Sequence, residues 1–175
     1  ASSDYPLRDV YKRQAEMFFE AVSSFEGASG RLQKVKEVHG TTIFKDFAHA
    51  PSKVKATIKA VKDLYSDREL IACFELHTYS SLNKNFLPQY KDSFKNANTS
   101  VVYFSPEKVK AKGFPEISAE ELKKAFANPS LQIFTSAQEL HNFLKQQQYK
   151  NKNLLMMSSG NFGGLDIKQL ASELI

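Results

Sequence analysis

The loop at residues 46–51 contains the side chains whose types and spacing are best suited to chemistry. It reads Asp-Phe-Ala-His-Ala-Pro and places a carboxylate, Asp46, and an imidazole, His49, just before a predicted helix. The free N–H groups of a helix start favour anions, so a phosphate or a substrate carboxylate could bind there and accept from His49. Asp46 could accept hydrogen bonds from ribose hydroxyls. The residues are equally compatible with a simple helix entry, in which Asp46 caps backbone amides and His49 is merely exposed.

Residues 77–81, His-Thr-Tyr-Ser-Ser, form a second polar loop at the end of an apolar run. They offer more hydrogen-bonding groups than a turn requires, which favours a substrate-facing loop containing His77, Tyr79 and Ser80. The alternative is that the serines cap the next helix.

Residues 158–164, Ser-Ser-Gly-Asn-Phe-Gly-Gly, form a third candidate loop. Its glycines allow a ligand to approach the backbone closely, with Ser158, Asn161 and Phe162 as candidate contacts. The loop has neither the Gly-Lys-Ser/Thr of a phosphate loop nor the spacing of a dinucleotide fingerprint, so a tight turn without a ligand is the alternative. Arg31 could bind a phosphate in forked geometry, although a lone arginine is usually a surface residue.

Apolar spacing predicts the elements that must position these loops. A short helix over residues 15–25 leads into two strands, residues 32–38 and 42–47, which form a β-hairpin closed at residues 39–40. A helix follows over residues 51–65, with a proline in its first turn.

From residue 70 onward, strands and helices alternate, as in consecutive βαβ units. The predicted strands cover residues 70–76, 100–104, 131–134 and 154–157, and the predicted helices cover residues 85–95, 119–127, 137–148 and 167–174. Two helix starts have the residues of a capping box, Ser118 with Glu121 and Ser136 with Glu139. The predicted fold class is α/β: a Rossmann-like, mostly parallel sheet flanked by helices, with an N-terminal β-hairpin.

In such a sheet, ligands bind outside the carboxyl ends of the strands. This rule selects the loops at residues 46–51, 77–83, 105–107, 135–136 and 158–164. We therefore expect the three polar loops to lie along one edge of the sheet.

Composition disfavours several classes of function. The formal charge is +5, but the lysines are scattered, as at Lys53, Lys55 and residues 108–112, and indicate a solvated surface more than a nucleic-acid site. Cys73 lies in an apolar run, so we expect a buried, unreactive thiol and no internal disulfide. No metal-ligand spacing or Gly-x-Ser-x-Gly motif supports a metalloenzyme or hydrolase. We expect a cytoplasmic protein without a membrane partner.

The first fourteen residues look foreign to the rest of the chain. Residues 9–14, Asp-Val-Tyr-Lys-Arg-Gln, resemble the translation of a sequencing adapter. We therefore expect residues 1–14 to be a non-native leader and residues 15–175 to form the domain.

The ordered loops resemble a known family. Residues 25–33 and 38–51 resemble the opening of the C-terminal domain of Mur ligases, with its F-x-G-x-x-x-R-L/M-E pattern and its D-Y/F-A/G-H-x-P loop. Residues 74–80 resemble the next strand and H-x-Y-S loop of that domain. Residues 157–164 are most similar to the M-S-N-G-G-F-G-G segment of the murein peptide ligases, the branch of the family that recycles murein.

The resemblance implies an ATP- and Mg²⁺-dependent synthetase. It makes an acyl phosphate on a UDP-muramyl carboxylate, which the amine of an incoming amino acid or peptide then attacks. Arg31 and Asp46 match positions that contact ATP, and His49 and His77 match positions that face the reacting phosphate and the incoming peptide. Of these two residues, the resemblance implies His49 as an ATP contact and His77 as a substrate contact. The remaining substrate contacts that the resemblance implies are Tyr79, Ser80, Ser158, Asn161 and Phe162.

The same resemblance implies that this chain is one part of a larger enzyme. The Mg²⁺ ligands, the phosphate loop and the UDP-sugar site belong to the central and N-terminal domains of the family, so the chain alone is expected to be inactive. The implied substrates are UDP-N-acetylmuramate and the murein tripeptide L-Ala-γ-D-Glu-meso-diaminopimelate. A family member that adds a single amino acid such as L-alanine, and a non-catalytic α/β ligand-binding module, are the alternatives.

Three positions depart from the family pattern. Ala50 stands where many relatives have a second histidine, Ser81 where an arginine often follows the Tyr-Ser pair, and Gln33 where a glutamate is usual. Two of these departures lie in the loops at residues 46–51 and 77–81, and the change at Gln33 is expected to be tolerated.

Overall fold

A computed structural model describes residues 31–175, and within them six strands form one sheet. The strands are β1 (Gln33–Val38), β2 (Thr41–Asp46), β3 (Glu69–Glu75), β4 (Thr99–Tyr103), β5 (Gln132–Phe134) and β6 (Lys152–Met157). Their order is β1-β2-β6-β3-β4-β5, with β1 antiparallel to β2 and every other pair parallel. The α/β class, the mostly parallel sheet and the N-terminal hairpin are confirmed. The leader and the helix predicted over residues 15–25 lie outside the described residues.

Within the described residues, four α-helices lie in the connections between strands and a fifth follows β6. They are α1 (Pro51–Leu64), α2 (Pro106–Ala111), α3 (Ala119–Ala125), α4 (Ala137–Lys145) and α5 (Ile167–Leu174), and a 3-10 helix covers Leu87–Tyr90. None of the helices in this part of the chain is long and apolar enough to cross a membrane.

The central strands are apolar because helices cover both faces of the sheet. Alternate residues of β3 point into two separate cores: Leu70, Ala72 and Phe74 into one, Ile71 and Cys73 into the other. Cys73 is fully buried, as expected, and burial raises the pKa of its thiol. The sheet is therefore a rigid platform for the loops at its carboxyl edge.

The helix predicted over residues 85–95 is wrong. This segment contains only the short 3-10 helix and turns, because Pro88 lacks an N–H group and Asp92 adopts a left-handed backbone with φ of 59°. Tyr90 and Phe94 are buried, so their apolar spacing reflects anchoring of the segment on the core and not a helix.

A helix that the sequence analysis missed follows β4. Helix α2 begins where a loop was predicted, with Ser105 as its N-cap and Pro106 at its first position. The capping box predicted at Ser118 and Glu121 is confirmed. At Ser136 only half of the box forms within the described residues: its side chain accepts from the Glu139 N–H at 3.4 Å.

Candidate functional site

The polar loops meet at the carboxyl edge of the sheet. Strands β2, β6 and β3 are neighbours and run in parallel, so the loops that follow them leave the sheet side by side. The Ser158 N–H donates to the Asp46 carbonyl at 3.0 Å, which joins the first loop to the third. The expectation that these loops share one edge is confirmed.

Asp46 is a buried carboxylate that closes the end of the β-hairpin. One carboxylate oxygen accepts from the Leu32 N–H at 2.5 Å and the other from the Ala48 N–H at 2.6 Å. Burial raises the pKa of Asp46, opposed by these two hydrogen bonds and by the charges of Lys53 and Arg31. The carboxylate thus caps two backbone amides, both outside helix α1, whose N-cap Ala50 has no side-chain hydrogen bond.

His49 lies partly exposed in the same loop and packs against an aromatic neighbour. Its Nδ1 lies 3.0 Å from the Phe47 carbonyl oxygen, and its ring meets the Phe47 ring edge-on at 5.4 Å between centroids. Phe47 is 52% exposed, which is unusual for a phenylalanine. The hydroxyl of the buried Tyr90 donates to the His49 carbonyl at 2.6 Å and so holds the loop against the core.

Glu75, the last residue of β3, is the charged centre of the site, and the sequence analysis assigned it no role. Its side chain is 1% exposed. Oε2 accepts from the Ser158 hydroxyl and from the Phe162 N–H at 2.8 Å, while Oε1 lies 3.7 Å from Lys108 Nζ. One buried carboxylate therefore ties β3, the loop at residues 158–164 and helix α2 together.

His77 lies against this carboxylate and against two lysines. Its Nδ1 is 3.6 Å from Glu75 Oε1 and 3.3 Å from Lys108 Nζ, and its carbonyl oxygen accepts from Lys112 Nζ at 2.7 Å. Lys108 and Lys112 were expected to be solvated surface lysines, but both are only partly exposed and each contacts His77. They lie four residues apart at the end of α2 and therefore reach the same residue, Lys108 at its ring and Lys112 at its carbonyl oxygen.

The lysines also affect the titration of His77. Partial burial lowers the pKa of its imidazole; the charge of Glu75 raises it, and those of Lys108 and Lys112 lower it. His77 is therefore expected to be neutral at pH 7, because its pKa lies below the ordinary value of about 6.5.

We expect Lys108→Met to raise the pKa of His77, since the variant removes one of the two positive charges that oppose the attraction of Glu75. The pKa is measured by NMR titration of the His77 ring. Lys110→Met, in the same helix but exposed, is the matched control and leaves the titration unchanged. A pKa for His77 that is the same in Lys108→Met and in the wild type would contradict the geometry.

The depressed pKa of His77 also predicts how stability depends on pH. The folded chain binds fewer protons at His77 than the unfolded chain, so this group destabilises the fold as pH falls below about 6.5. The loss is complete once pH is below the folded pKa, and it is absent in His77→Gln.

Gly160 allows the third loop to approach His77 and Glu75. A Cβ at this position would lie 2.6 Å from His77 Nδ1 and 2.8 Å from Glu75 Oε2. The glycine is therefore required by space, since its backbone lies outside the left-handed region.

The remaining site residues divide into exposed and internal ones. Tyr79 is 64% exposed and packs on Phe114, and Ser80 and Asn161 are also exposed. Ser158 is buried, with its hydroxyl engaged by Glu75 and by the Gly160 N–H at 2.7 Å. The ring of Phe162 is fully buried in the core.

Ser81, which stands where relatives often have arginine, is also internal. Its hydroxyl accepts from Thr78 Oγ1 at 2.9 Å, and its N–H donates to the same oxygen at 3.1 Å. Ser81 therefore closes the turn at residues 78–81 and presents no side chain to the edge of the sheet.

A cavity of about 490 Å³ lies beside the third loop. Ser158, Gly160 and Asn161 border it on one side, and three lysines, Lys34, Lys45 and Lys168, border it elsewhere, with Asp166 as the one carboxylate in its lining. This volume lies within the range of about 300–1,000 Å³ that is usual for pockets that bind small molecules. Within residues 31–175 no group of three His, Cys, Asp or Glu side chains is placed to hold a metal ion.

The chain is similar to known proteins over most of its length. The sequence model of the family described as "Mur ligase, glutamate ligase domain" matches residues 30–160. UDP-N-acetylmuramate–L-alanine ligase from Carboxydothermus hydrogenoformans is 33% identical over 165 residues, which is 90% of this chain and 35% of that protein. The chain thus spans about a third of the length of the curated relatives that it matches.

Two solved structures have the same fold. A domain of a protein assigned as UDP-N-acetylmuramate:L-alanyl-γ-D-glutamyl-meso-diaminopimelate ligase, from Haemophilus ducreyi, superimposes with a TM-score of 0.54 at 26% identity, covering 82% of this chain and 99% of that one. A murein peptide ligase from Psychrobacter arcticus gives a TM-score of 0.65 at 24% identity, covering 89% of this chain and 32% of that one. The chain belongs to the Mur ligase family, and the part that the structure describes is the C-terminal, glutamate ligase domain of that family.

Proposed function

We propose that this domain is part of an ATP-dependent ligase that joins the tripeptide L-alanyl-γ-D-glutamyl-meso-diaminopimelate to UDP-N-acetylmuramate. One observation carries the proposal: in a chain of this family, the loops of Asp46, His77 and Ser158 meet at one edge of the sheet. Since ligands of open parallel sheets bind at that edge, the domain contributes one wall of an active site. A ligase that consumes ATP works in the cytoplasm, so this location is part of the proposal.

The proposed reaction forms one amide bond. The terminal phosphoryl group of ATP is transferred to the carboxylate of UDP-N-acetylmuramate, giving an acyl phosphate. The amine of the L-alanyl residue attacks the carbonyl carbon; the C–N bond forms, the bond to the phosphate oxygen breaks, and phosphate leaves. The attacking amine loses one proton on becoming the amide N–H, and that proton ends on the departing phosphate.

Three residues are proposed to face ATP. Arg31 is exposed beside Asp46 and can pair with a phosphate, and His49 is partly exposed in the loop that Asp46 holds in place. Asp46 itself uses one lone pair of each oxygen on a backbone amide, so only its remaining lone pairs are available to ribose hydroxyls. Mg²⁺ is proposed to bind to ATP and to ligands from another part of a longer protein.

The cavity beside the third loop supports the tripeptide as the amine substrate. Its lining includes three lysines against one carboxylate, a balance that suits a ligand with several carboxylates. Its volume of about 490 Å³ also exceeds what a single small amino acid needs. The exposed side chains of Tyr79, Ser80 and Asn161 are proposed to contact the peptide from the edge of the sheet, whereas Ser158 acts through Glu75 and Gly160.

A ligase for free L-alanine is the second candidate. The curated relative that shares 33% identity over 165 residues is an L-alanine ligase, and so are two further curated relatives. Both candidates deliver an L-alanyl amine to the same acyl phosphate. They differ only in whether the rest of a peptide is bound.

The test is an assay of phosphate release by the full-length protein that contains this chain, with ATP, Mg²⁺ and UDP-N-acetylmuramate. We expect kcat/KM to be at least about 100-fold higher with the tripeptide than with L-alanine, because a site that pairs with the extra carboxylates discriminates strongly against a substrate without them. The 175-residue chain alone is the control and is expected to be inactive. A preference for L-alanine would establish the second candidate, and no turnover with either would favour a non-catalytic binding module.

A further inference from the structure

We propose that His77, Lys108 and Lys112 form a binding site for one oxyanion, a carboxylate or a phosphate group, at the carboxyl edge of the sheet. The proposal deepens the proposed function and rests on it for the identity of the group bound. Lys108 and Lys112 are the residues that it adds.

The first argument is the balance of charge. Two lysine ammonium groups contact His77, and Glu75 is the acidic side chain that pairs with one of them, Lys108. Oε2 of that carboxylate is already occupied by the Ser158 hydroxyl and the Phe162 N–H. With a neutral imidazole, the cluster has an excess of one positive charge, which a bound oxyanion would neutralise.

The second argument is the tautomer of His77. A lysine ammonium group has only donors, so the 3.3 Å contact with Lys108 Nζ favours Nδ1 as an acceptor over donation to Glu75 Oε1, which is more distant at 3.6 Å. The neutral ring then carries its proton on Nε2, an atom that makes no hydrogen bond within residues 31–175. The ring therefore offers a free N–H donor, which suits an anion and not a cation.

The third argument is accessibility. The side chains of His77 and Lys108 are 32% and 35% exposed, although Glu75 beneath them is 1% exposed. The positive groups thus lie between the buried carboxylate and solvent. Their other neighbour, Gly160, has no side chain to obstruct a ligand.

The alternative is that Lys108 only neutralises Glu75 and Lys112 only caps the loop. This alternative predicts that removing Lys112 leaves anion binding unchanged, because its recorded hydrogen bond is to the His77 carbonyl. The two interpretations therefore differ most clearly in Lys112→Met.

The experiment is an NMR titration of the 175-residue chain with three probes: inorganic phosphate, L-alanine and the tripeptide. We expect saturable shifts of the His77 ring and the Gly160 amide with at least one probe. Lys108→Met and Lys112→Met each raise the dissociation constant about tenfold, as expected for loss of a charge-assisted hydrogen bond. Lys108→Arg retains binding, and Lys110→Met, the matched control, changes it less than twofold.

The probes distinguish the source of the oxyanion. Shifts with phosphate alone assign the site to the phosphoryl group, and shifts with L-alanine or the tripeptide assign it to a substrate carboxylate. A 15N measurement of the His77 ring that finds the proton on Nδ1, the absence of saturable shifts, or equal weakening in Lys110→Met would each overturn the proposal. Because Lys108→Met leaves Glu75 without its cation, Lys112→Met keeps the test valid if the former unfolds.

The proposal and the proposed function can fail separately. Oxyanion binding at His77 in a protein without ligase activity would refute the function and leave the site. Ligase activity with a KM for the amine substrate and for ATP that Lys112→Met does not alter would refute the site and leave the function.

Discussion

Glu75→Ala is expected to lower the free energy of unfolding of the 175-residue chain by about 3–5 kcal/mol, the usual cost of removing one partner from a buried, hydrogen-bonded charge cluster. The alanine leaves the Ser158 hydroxyl and the Phe162 N–H without an acceptor, and it leaves Lys108 without its counter-charge. Domains of this size are stable by only about 5–15 kcal/mol, so the loss is a large fraction of the total stability. Urea denaturation followed by circular dichroism measures the change.

Two further variants identify the cause. Glu75→Gln keeps one oxygen for Ser158 or Phe162 but removes the charge, so its loss is expected to fall between that of alanine and the wild type. Glu69→Ala, at the other end of β3, removes an exposed partner of Lys152 and is expected to unfold close to the wild-type midpoint. If Glu75→Ala and Glu69→Ala unfolded at the same urea concentration, the buried cluster would not stabilise the fold.

The strand that ends at Glu75 could be predicted from the sequence, but the partners of Glu75 could not. The strand that contains it was predicted because apolar runs and turn residues are local signals, and the parallel sheet followed from the alternation of strands and helices. The partners of Glu75 are 83 and 87 residues away along the chain, a separation on which local pattern has no bearing. The available signal was a glutamate at the end of an otherwise buried strand, which requires a partner wherever it lies.

The lysines of helix α2 illustrate the same limit. Lys108 and Lys112 look like solvated residues in a basic segment, and only the packing of α2 brings them to His77, 31 residues earlier. The start of that helix was nevertheless readable from Ser105 and Pro106, an N-cap followed by a proline at the first position. With the helix in place, the spacing of four residues puts both lysines on one face.

Ser158 and Phe162 show a further limit of prediction from motifs. Both were expected to contact a substrate, and both border the cavity beside the third loop. The structure adds that the Ser158 hydroxyl is engaged by Glu75 and that the Phe162 ring fills the core, contacts that fix the loop backbone. The side chains of Tyr79, Ser80 and Asn161 are exposed.

Gly160→Ala is expected to displace His77 or the third loop, and thereby to impair every function of this edge of the sheet. The added methyl would meet the His77 ring at 2.6–2.7 Å and the Glu75 carboxylate at 2.8 Å, well inside van der Waals contact. Glu75 is buried and held by two donors, so the imidazole and the loop must move. Overpacking of this kind costs about 1–3 kcal/mol, and the ring also loses its contact with Lys108.

The matched control is Gly164→Ala in the same loop. Nothing lies within 4 Å of its Cβ position, but its φ of 94° makes the alanine strained, so this variant loses stability through its backbone alone. We therefore expect both variants to be less stable than the wild type and only Gly160→Ala to shift the NMR signals and the pKa of His77. If the two variants left His77 equally unperturbed, the close approach of the loop would not position the imidazole. Because a shift confined to Gly160→Ala cannot come from a general loss of stability, it would identify the contact between Gly160 and His77 as the means by which the third loop sets the geometry of the site.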